Sequence, residues 1–303
     1  APSYAHGVID PIDELAALAL ERGVPCHVDG CIGGFLLPYF ERLGRELPRF
    51  DFRVPGVTSI SMDLHKYAYA PKGASVVLFR DKALRRQAIF ACSRWSGYTL
   101  VNTTIQSTKS GGPLAGAWAV LNHVGDSGYL EIARKLAGAM DALVAGIREI
   151  PELRLLGDPR MTLLACASDE ISVFVLCDEM KTRGWYIQPQ LGVGTEPFSF
   201  HLSLNPSNVV NVPAFLSDLR GAVASAQKLG KPELPAPLLE SLATLDPAAL
   251  SPETFRQMLA MAGLDGFVVP ERMAEVNHLL AVLSPALRER VLTEFVNELF
   301  SPA

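Results

Sequence analysis

Two periodicities alternate along the first part of the chain. Ile12, Leu15, Ala16 and Ala19 recur at helical spacing up to Gly23, and the pattern predicts an amphipathic helix. Asp10 is its expected N-cap, Pro11 its first helical residue, and Asp13 and Glu14 fill the first turn, where the helix dipole favours negative charge. Pro25-Cys26-His27-Val28 then reads as a strand closed by Asp29. Farther on, Thr58, Ile60 and Met62 alternate with Val57, Ser59 and Ser61, the period of two of a second strand. The continuous run Ala74-Ser75-Val76-Val77-Leu78-Phe79 predicts a third and more buried strand. Helix and strand succeeding one another predict a parallel α/β layer, whose ligands bind beyond the carboxyl ends of strands, where Asp29 lies.

Beyond residue 110 the helical period dominates. Gly112-Pro113 opens a helix whose apolar face is Leu114, Ala117, Trp118 and Leu121. A break from Gly125 to Gly128 precedes a longer helix with Tyr129, Ile132, Leu136, Met140, Leu143, Ile147 and Ile150 in register. A smaller region follows as strand (Ile171, Val173, Val175), short helix (Cys177 to Arg183) and strand (Phe198, Phe200, Leu202, Leu204). A helix from Pro213 to Leu229 is stopped by Gly230. Lys231-Pro232-Glu233-Leu234-Pro235-Ala236-Pro237 is a proline-rich linker. Helices opened by Ser251-Pro252-Glu253 and Ser284-Pro285 follow, with Leu287, Val291, Phe295 and Leu299 nearly in line. The tail carries no recognisable chemical motif.

Composition narrows the class. In 303 residues, 49% are hydrophobic and 19% charged, which is globular composition with enough chain for a large core. A formal charge of −5 leaves no basic footprint for nucleic acid. Five cysteines at irregular spacing predict reduced thiols rather than a disulfide framework. No apolar run reaches the ~18 residues of a membrane span, and no signal peptide opens the chain, so a soluble, cytoplasmic protein is expected.

The candidate chemistry centres on Lys66. It lies in the polar hinge Ser61-Met62-Asp63-Leu64-His65-Lys66-Tyr67-Ala68-Tyr69-Ala70-Pro71-Lys72-Gly73 between two apolar runs. A lysine at the rim of a sheet beside a histidine can be desolvated, deprotonated and turned to Schiff-base chemistry. Asp29, closing an earlier strand, would hold a pyridine nitrogen protonated, so the pair meets the needs of pyridoxal 5'-phosphate. Each residue has a plainer reading: Lys66 as a surface lysine, Asp29 as a turn residue, His65 as a satisfied loop histidine. Their combination favours the cofactor. Cys26, His27, Asp29 and Cys31 lack the second ligand pair a closed zinc site needs, so no metal is expected. Trp95, Trp118 and Trp185 read as core or interface anchors.

His27-Val28-Asp29-Gly30-Cys31-Ile32-Gly33-Gly34-Phe35, Phe50-Asp51-Phe52-Arg53, Val57-Thr58-Ser59-Ile60-Ser61, His65-Lys66-Tyr67 and Ala70-Pro71-Lys72-Gly73 together resemble the sphingosine-1-phosphate lyase family, among the pyridoxal-phosphate enzymes related to group II decarboxylases. The resemblance continues through Trp95, Thr104-Ile105, Gly111-Gly112-Pro113 and Arg183-Gly184-Trp185 and covers about the first 225 residues. It implies an α/β fold of the type I pyridoxal-phosphate transferase kind (aspartate aminotransferase-like). Residues 1–125 would be the C-terminal portion of the large cofactor domain, 126–230 a small α/β domain, and 231–303 the linker and helical tail. The first residues resemble a segment deep inside the family's large domain, so the chain looks like the C-terminal part of a longer enzyme.

The resemblance also implies roles. Lys66 would carry the cofactor and Asp29 would face its ring nitrogen. His65 would reach the cofactor phosphate or position the lysine, and His27 would be a cofactor contact or structural. Relatives commonly have alanine where Gly30 stands, its methyl packing on the cofactor ring. The polar loop from Thr103 to Gly112 would help bind the cofactor phosphate across a homodimer interface, with Thr108 and Gly112 carried over and Lys109 replacing a usual arginine. Tyr4 would transfer a proton or bind substrate, and Lys72 would hold the substrate phosphate. The implied reaction is carbon–carbon cleavage of a phosphorylated long-chain amino alcohol to a fatty aldehyde and phosphoethanolamine. An amino-acid decarboxylase sharing Asp29, His65 and Lys66 is one rival. A catalytically incomplete fragment serving as an oligomerisation module is another.

Overall fold

The structure, a computed structural model, describes residues 1–106, 108–232 and 270–300, with positions 242, 245–247, 250, 251, 253 and 255 between them. Most of the proline-rich linker and Pro252 of the opening at Ser251-Pro252-Glu253 lie outside the described residues. The chain divides into two units. One comprises residues 1–145, 156–164 and 203–212, and the other residues 146–155, 165–202 and 213–303.

In the first unit, helix α1 (Ile12–Glu21) buries Ile12 and Ala16. Asp10 does not cap it through its side chain; Pro11 holds the N-cap position and the Asp10 carbonyl accepts from Ile12 N–H. The helix lies close to the loop before the second strand, where a Cβ on Gly56 would stand 2.0 Å from the Ala16 carbonyl oxygen, so glycine is required there. Strand β1 (Cys26–Asp29) pairs in parallel with β2 (Val57–Asp63), which pairs antiparallel with β3 (Ser75–Phe79). Helix α2 (Gly33–Arg42) crosses from β1 towards β2 and buries Leu36, Leu37 and Phe40 completely. The parallel α/β step is therefore present.

Strand β3 departs from expectation. Its order in the sheet is β1-β2-β3, so its outer edge has no described strand beside it, and Val77 and Leu78 are 54% and 43% exposed. An apolar run reads the same whether or not a layer covers it. Short helix α3 (Lys82–Gln87), capped by Asp81, leads to a two-stranded ribbon of β4 (Phe90–Cys92) and β5 (Leu100–Asn102). Helix α4 (Gly112–Arg148) breaks at Gly125 (φ 64, ψ 173), where the sequence predicts a break. After the break Tyr129, Leu136, Met140, Leu143 and Ile147 are all buried, and before it only Ala117 of the expected face is, with Leu114 and Trp118 exposed.

The second unit is built on a sheet ordered β6-β7-β9-β8, from β6 (Arg154–Leu155), β7 (Leu163–Ala167), β8 (Gln188–Gln190) and β9 (Ser199–Ser203). The alternation at Ile171, Val173 and Val175 is not a strand. Helix α5 (Val173–Thr182) begins there, its N-terminus capped by the Ser172 hydroxyl accepting from Val175 N–H. All residues from Val173 to Met180 are buried, Asp178 and Glu179 included, and a helix buried on every side shows no single apolar face to a sequence reading. After 3₁₀ turn η1 (Val209–Asn211), α6 (Val212–Leu229) ends at Gly230 in the left-handed region (φ 75). Helices α7 (Ala274–Val282) and α8 (Pro285–Leu299) follow, the second capped by Ser284. Asp178 on α5 accepts from the backbone N–H groups of Met273 and Ala274 (2.8 and 2.9 Å), which fixes the start of α7. No helix among the described residues is long and apolar enough to cross a membrane.

Candidate active site

Because β1 and β2 are parallel and in register, their alternate residues meet side by side. His27 lies opposite Ser59 and Asp29 opposite Ser61. The His27 Nδ1 is 2.8 Å from Ser59 Oγ, and the Ser61 hydroxyl donates to Asp29 Oδ1 over 3.2 Å. The same oxygen accepts the Cys31 backbone N–H at 2.9 Å. A hydrogen bond from the Cys31 thiol, with the Cys31 N–H and Ser61 hydroxyl, holds the Asp29 carboxyl below its ordinary value against partial burial.

Lys66 sits just past the end of β2. Its Nζ donates to Asp63 Oδ2 and to Cys31 Sγ, each at 3.0 Å. Partial burial disfavours the ammonium, but the bonds to Cys31 and Asp63 outweigh it and raise the Lys66 pKa. The sequence surroundings predict desolvation of this amine; in the structure Cys31 and Asp63, three residues before it, together oppose that desolvation. Asp63 is partly buried, yet the hydroxyl of its cross-strand neighbour Ser75 and the Lys66 ammonium keep its carboxyl below the usual range. Burial pushes the Cys31 thiol up.

The loop that carries Lys66 is tightly folded. His65 Nδ1 is 2.8 Å from the Ala74 carbonyl oxygen, and its Nε2 is 3.6 Å from Asp63 Oδ2. Tyr69 adopts φ 57, the non-glycine residue in the left-handed region among those described. That conformation lets Ala70 N–H reach the Leu64 carbonyl and Tyr69 N–H reach the Lys66 carbonyl, both at 3.0 Å. Tyr67 is buried and its hydroxyl donates to the Leu204 carbonyl at 3.0 Å. Lys72 follows Pro71 at an exposed position.

The sequence-predicted residues therefore fall into groups. Asp29, His65 and Lys66 share one cluster, with His27 beside it on β1. Thr108 lines a cleft with Leu64, Gly73, Ser75, Ser110 and Gly111, to which neither Asp29 nor Lys66 contributes. Gly112 opens α4 at this cleft and donates its N–H to Ser110 Oγ at 3.3 Å; Ser107 lies outside the described residues. Tyr4 is 62% exposed. A methyl on Gly30 would meet the Ser61 carbonyl oxygen at 2.8 Å, so in this chain that direction points into the sheet, not toward a ligand. Sequence reasoning missed Cys31, Asp63, Ser61 and Ser75 as members of the site. The available signal was polar periodicity: Ser59, Ser61 and Asp63 occupy every second position of β2, beside His27 and Asp29 on β1.

These residues fit pyridoxal 5'-phosphate. An acid of lowered pKa and a lysine amine stand at the carboxyl ends of adjacent parallel strands, joined through Cys31.

Residues 3–167 match the family model described as "Pyridoxal-dependent decarboxylase conserved domain". Residues 236–298 match a second model, "Pyridoxal-dependent enzyme, C-terminal putative HTH domain". The described part of that second match shows α7, a break at Leu283 and α8; the sequence reading saw its helices but not the motif. The chain is 44% identical to sphingosine-1-phosphate lyase of Arabidopsis thaliana over 227 residues, 75% of this chain and 41% of the relative. It is 38% identical to sphingosine-1-phosphate lyase 1 of Rattus norvegicus over 234 residues, 75% and 40% of the two. Among solved structures it is similar to the sphingosine-1-phosphate lyase of Burkholderia pseudomallei, with a TM-score of 0.70 at 38% identity, covering 75% of this chain and 51% of that one. A glutamate decarboxylase of Lactobacillus brevis shares the fold, with a TM-score of 0.63 at 22% identity over 74% of this chain and 53% of that one. The chain spans about two-fifths of the length of the curated relatives it matches. With more than half of its residues matched to the conserved domain model, the chain belongs to the pyridoxal-dependent decarboxylase family.

Proposed function

We propose that this chain is part of a pyridoxal-phosphate-dependent lyase that cleaves a carbon–carbon bond of a phosphorylated sphingoid base. The observation that carries the reading is the Asp29–Cys31–Lys66 arrangement across the carboxyl ends of β1 and β2, together with the names of the relatives. Pyridoxal phosphate, when bound, supplies a carbonyl that bonds to an amine and a cationic ring that accepts the electron pair of a breaking bond. Lys66 provides the amine that holds it. Asp29 holds a proton on the ring nitrogen, for which a lowered carboxyl pKa is suited. His65 ties the Lys66 loop to Ala74 and Asp63. Lys72, exposed on the same loop, binds the substrate phosphate, and Tyr4 binds the substrate or relays a proton at its C3 hydroxyl. The products are a fatty aldehyde and phosphoethanolamine.

The same reading makes the working enzyme a homodimer. Thr108 lines a cleft to which neither Asp29 nor Lys66 contributes, Gly112 opens α4 next to it, and Ile105, Leu114 and Trp118 are strongly exposed. Both features suit a loop that serves a partner subunit's cofactor phosphate. Five unpaired thiols suit the reducing cytoplasm.

The test offers the full-length protein a phosphorylated sphingoid base and, separately, amino acids, and follows fatty aldehyde against carbon dioxide. Aldehyde release that Lys66→Ala abolishes is expected. Carbon dioxide release instead would establish the second reading, an amino-acid decarboxylase, which the description of the matched conserved domain favours.

A further inference from the structure

We infer that Asp63 is a positioning residue that clamps Lys66 as an ammonium and sets the pH at which this lysine becomes a nucleophile. The inference deepens the reading above and rests on it for the identity of the aldehyde. The geometry is specific. Asp63 ends β2, and its carboxylate has three partners: Lys66 Nζ at 3.0 Å, the Ser75 hydroxyl from the facing strand, and His65 Nε2 at 3.6 Å. Ser75 is its register partner in the antiparallel β2–β3 pair, so the sheet itself fixes where the carboxylate points. From the other side Cys31 Sγ accepts from the same Nζ at 3.0 Å, and Cys31 in turn is bonded to Asp29. The groups facing Lys66 are therefore Asp63 from the end of β2 and Cys31 from the end of β1, with His65 in turn against Asp63 and Asp29 bonded to Cys31.

An ammonium has no lone pair and cannot attack a carbonyl. Before Lys66 can bond to an aldehyde carbon, Nζ must release a proton, and the amine then gains the carbonyl carbon as the carbonyl oxygen leaves as water. Asp63 opposes the first step, because it stabilises the charged amine, while it fixes where Nζ stands at the end of β2. Sequence alone assigns Asp63 no role.

The experiment measures the amine directly. The intact protein is labelled with ¹³C-lysine, the Lys66 Cε resonance is assigned by its loss in Lys66→Arg, and its pH titration is followed without cofactor. In Asp63→Asn, loss of an opposite charge at this distance should move the Lys66 titration midpoint down by about one pH unit. The rate at which pyridoxal phosphate is trapped on Lys66 by cyanoborohydride at fixed pH below that midpoint should rise by about tenfold. Ser75→Ala, which frees the carboxylate without removing its charge, should move both readings in the same direction by less. If Asp63→Asn does not remain folded, Ser75→Ala and Asp63→Glu decide, the latter keeping the charge and a midpoint near wild type. A Lys66 midpoint unchanged in both Asp63→Asn and Ser75→Ala overturns the clamp. Failure of pyridoxal phosphate to be trapped on Lys66 in the wild type would instead overturn the functional reading and leave the titration result standing.

Discussion

Strands β3 and β7 are spelled alike and live differently. Ser75-Val76-Val77-Leu78-Phe79 and Leu163-Leu164-Ala165-Cys166-Ala167 are both short, nearly unbroken apolar runs. Every residue of β7 is buried, with β6 and β9 on its two sides. In β3 no residue is buried, and its sheet ends there. The contrast shows that apolarity specifies a strand, whereas burial depends on what the rest of the fold lays over it. It extends beyond these strands. Phe200, Phe174 and Cys166 are buried in the second unit, while Phe90, Val101, Ile105 and Trp118 of the first unit face outward.

The strongest way to break this comparison is to remove a large side chain from each unit. Phe200→Ala, at a fully buried position of β9, is expected to destabilise by about 3–5 kcal/mol, read from a denaturant midpoint. Gly30→Ala should come next, at about 1–3 kcal/mol, since its methyl must push aside the Ser61 carbonyl. Its spectrum with cofactor should change as well, because Asp29 is the preceding residue. A neutral Gly30→Ala would mean that the first unit yields where the second does not.

Asp178→Ala should cost about 0.5–2 kcal/mol, the usual range for losing a helix cap, by uncapping α7 from Met273 and Ala274. Limited proteolysis should then cut earlier near residue 270. Acid provides a test common to both units. Asp63 in the first and Glu179 in the second have carboxyl pKa values lowered by their cationic and hydroxyl partners in spite of burial. Their stabilisation is complete above the ordinary carboxylate range and is lost as pH falls through the lowered folded values. Thermal midpoints measured on descending pH should therefore fall less steeply in Asp63→Asn than in the wild type. The smallest effect is expected from Leu78→Ala on β3, within about 0.5 kcal/mol for a surface change. A loss comparable to Phe200→Ala would show that β3 is covered in solution.

The sequence was most legible where one period meets one layer. The break at Gly125, the buried register from Tyr129 to Ile147 and the stop at Gly230 each combine a backbone requirement with a single apolar face. It was least legible at α5, whose buried residues surround the whole helix, and at β3, where the covering layer is not encoded in the strand. In the site, Asp29 and Lys66 stood out because Asp29 ends a strand and Lys66 sits beside a histidine in the hinge between two apolar runs. Cys31 and Asp63 did not, because their roles depend on the pairing of β1 with β2 and of β2 with β3, and register is a property of two segments.

Tyr69 carries a consequence for how this loop can vary. A side chain at φ 57 is strained by about 1–3 kcal/mol relative to an ordinary backbone region, and glycine there would remove the strain. Glycine would also let the segment sample both signs of φ, and the backbone path from Leu64 to Ala70 would no longer be single. A tyrosine wedged into this conformation trades folding stability for one loop shape, closed by Tyr69 N–H on the Lys66 carbonyl and Ala70 N–H on the Leu64 carbonyl, and so for one position of Lys66 beside Asp63.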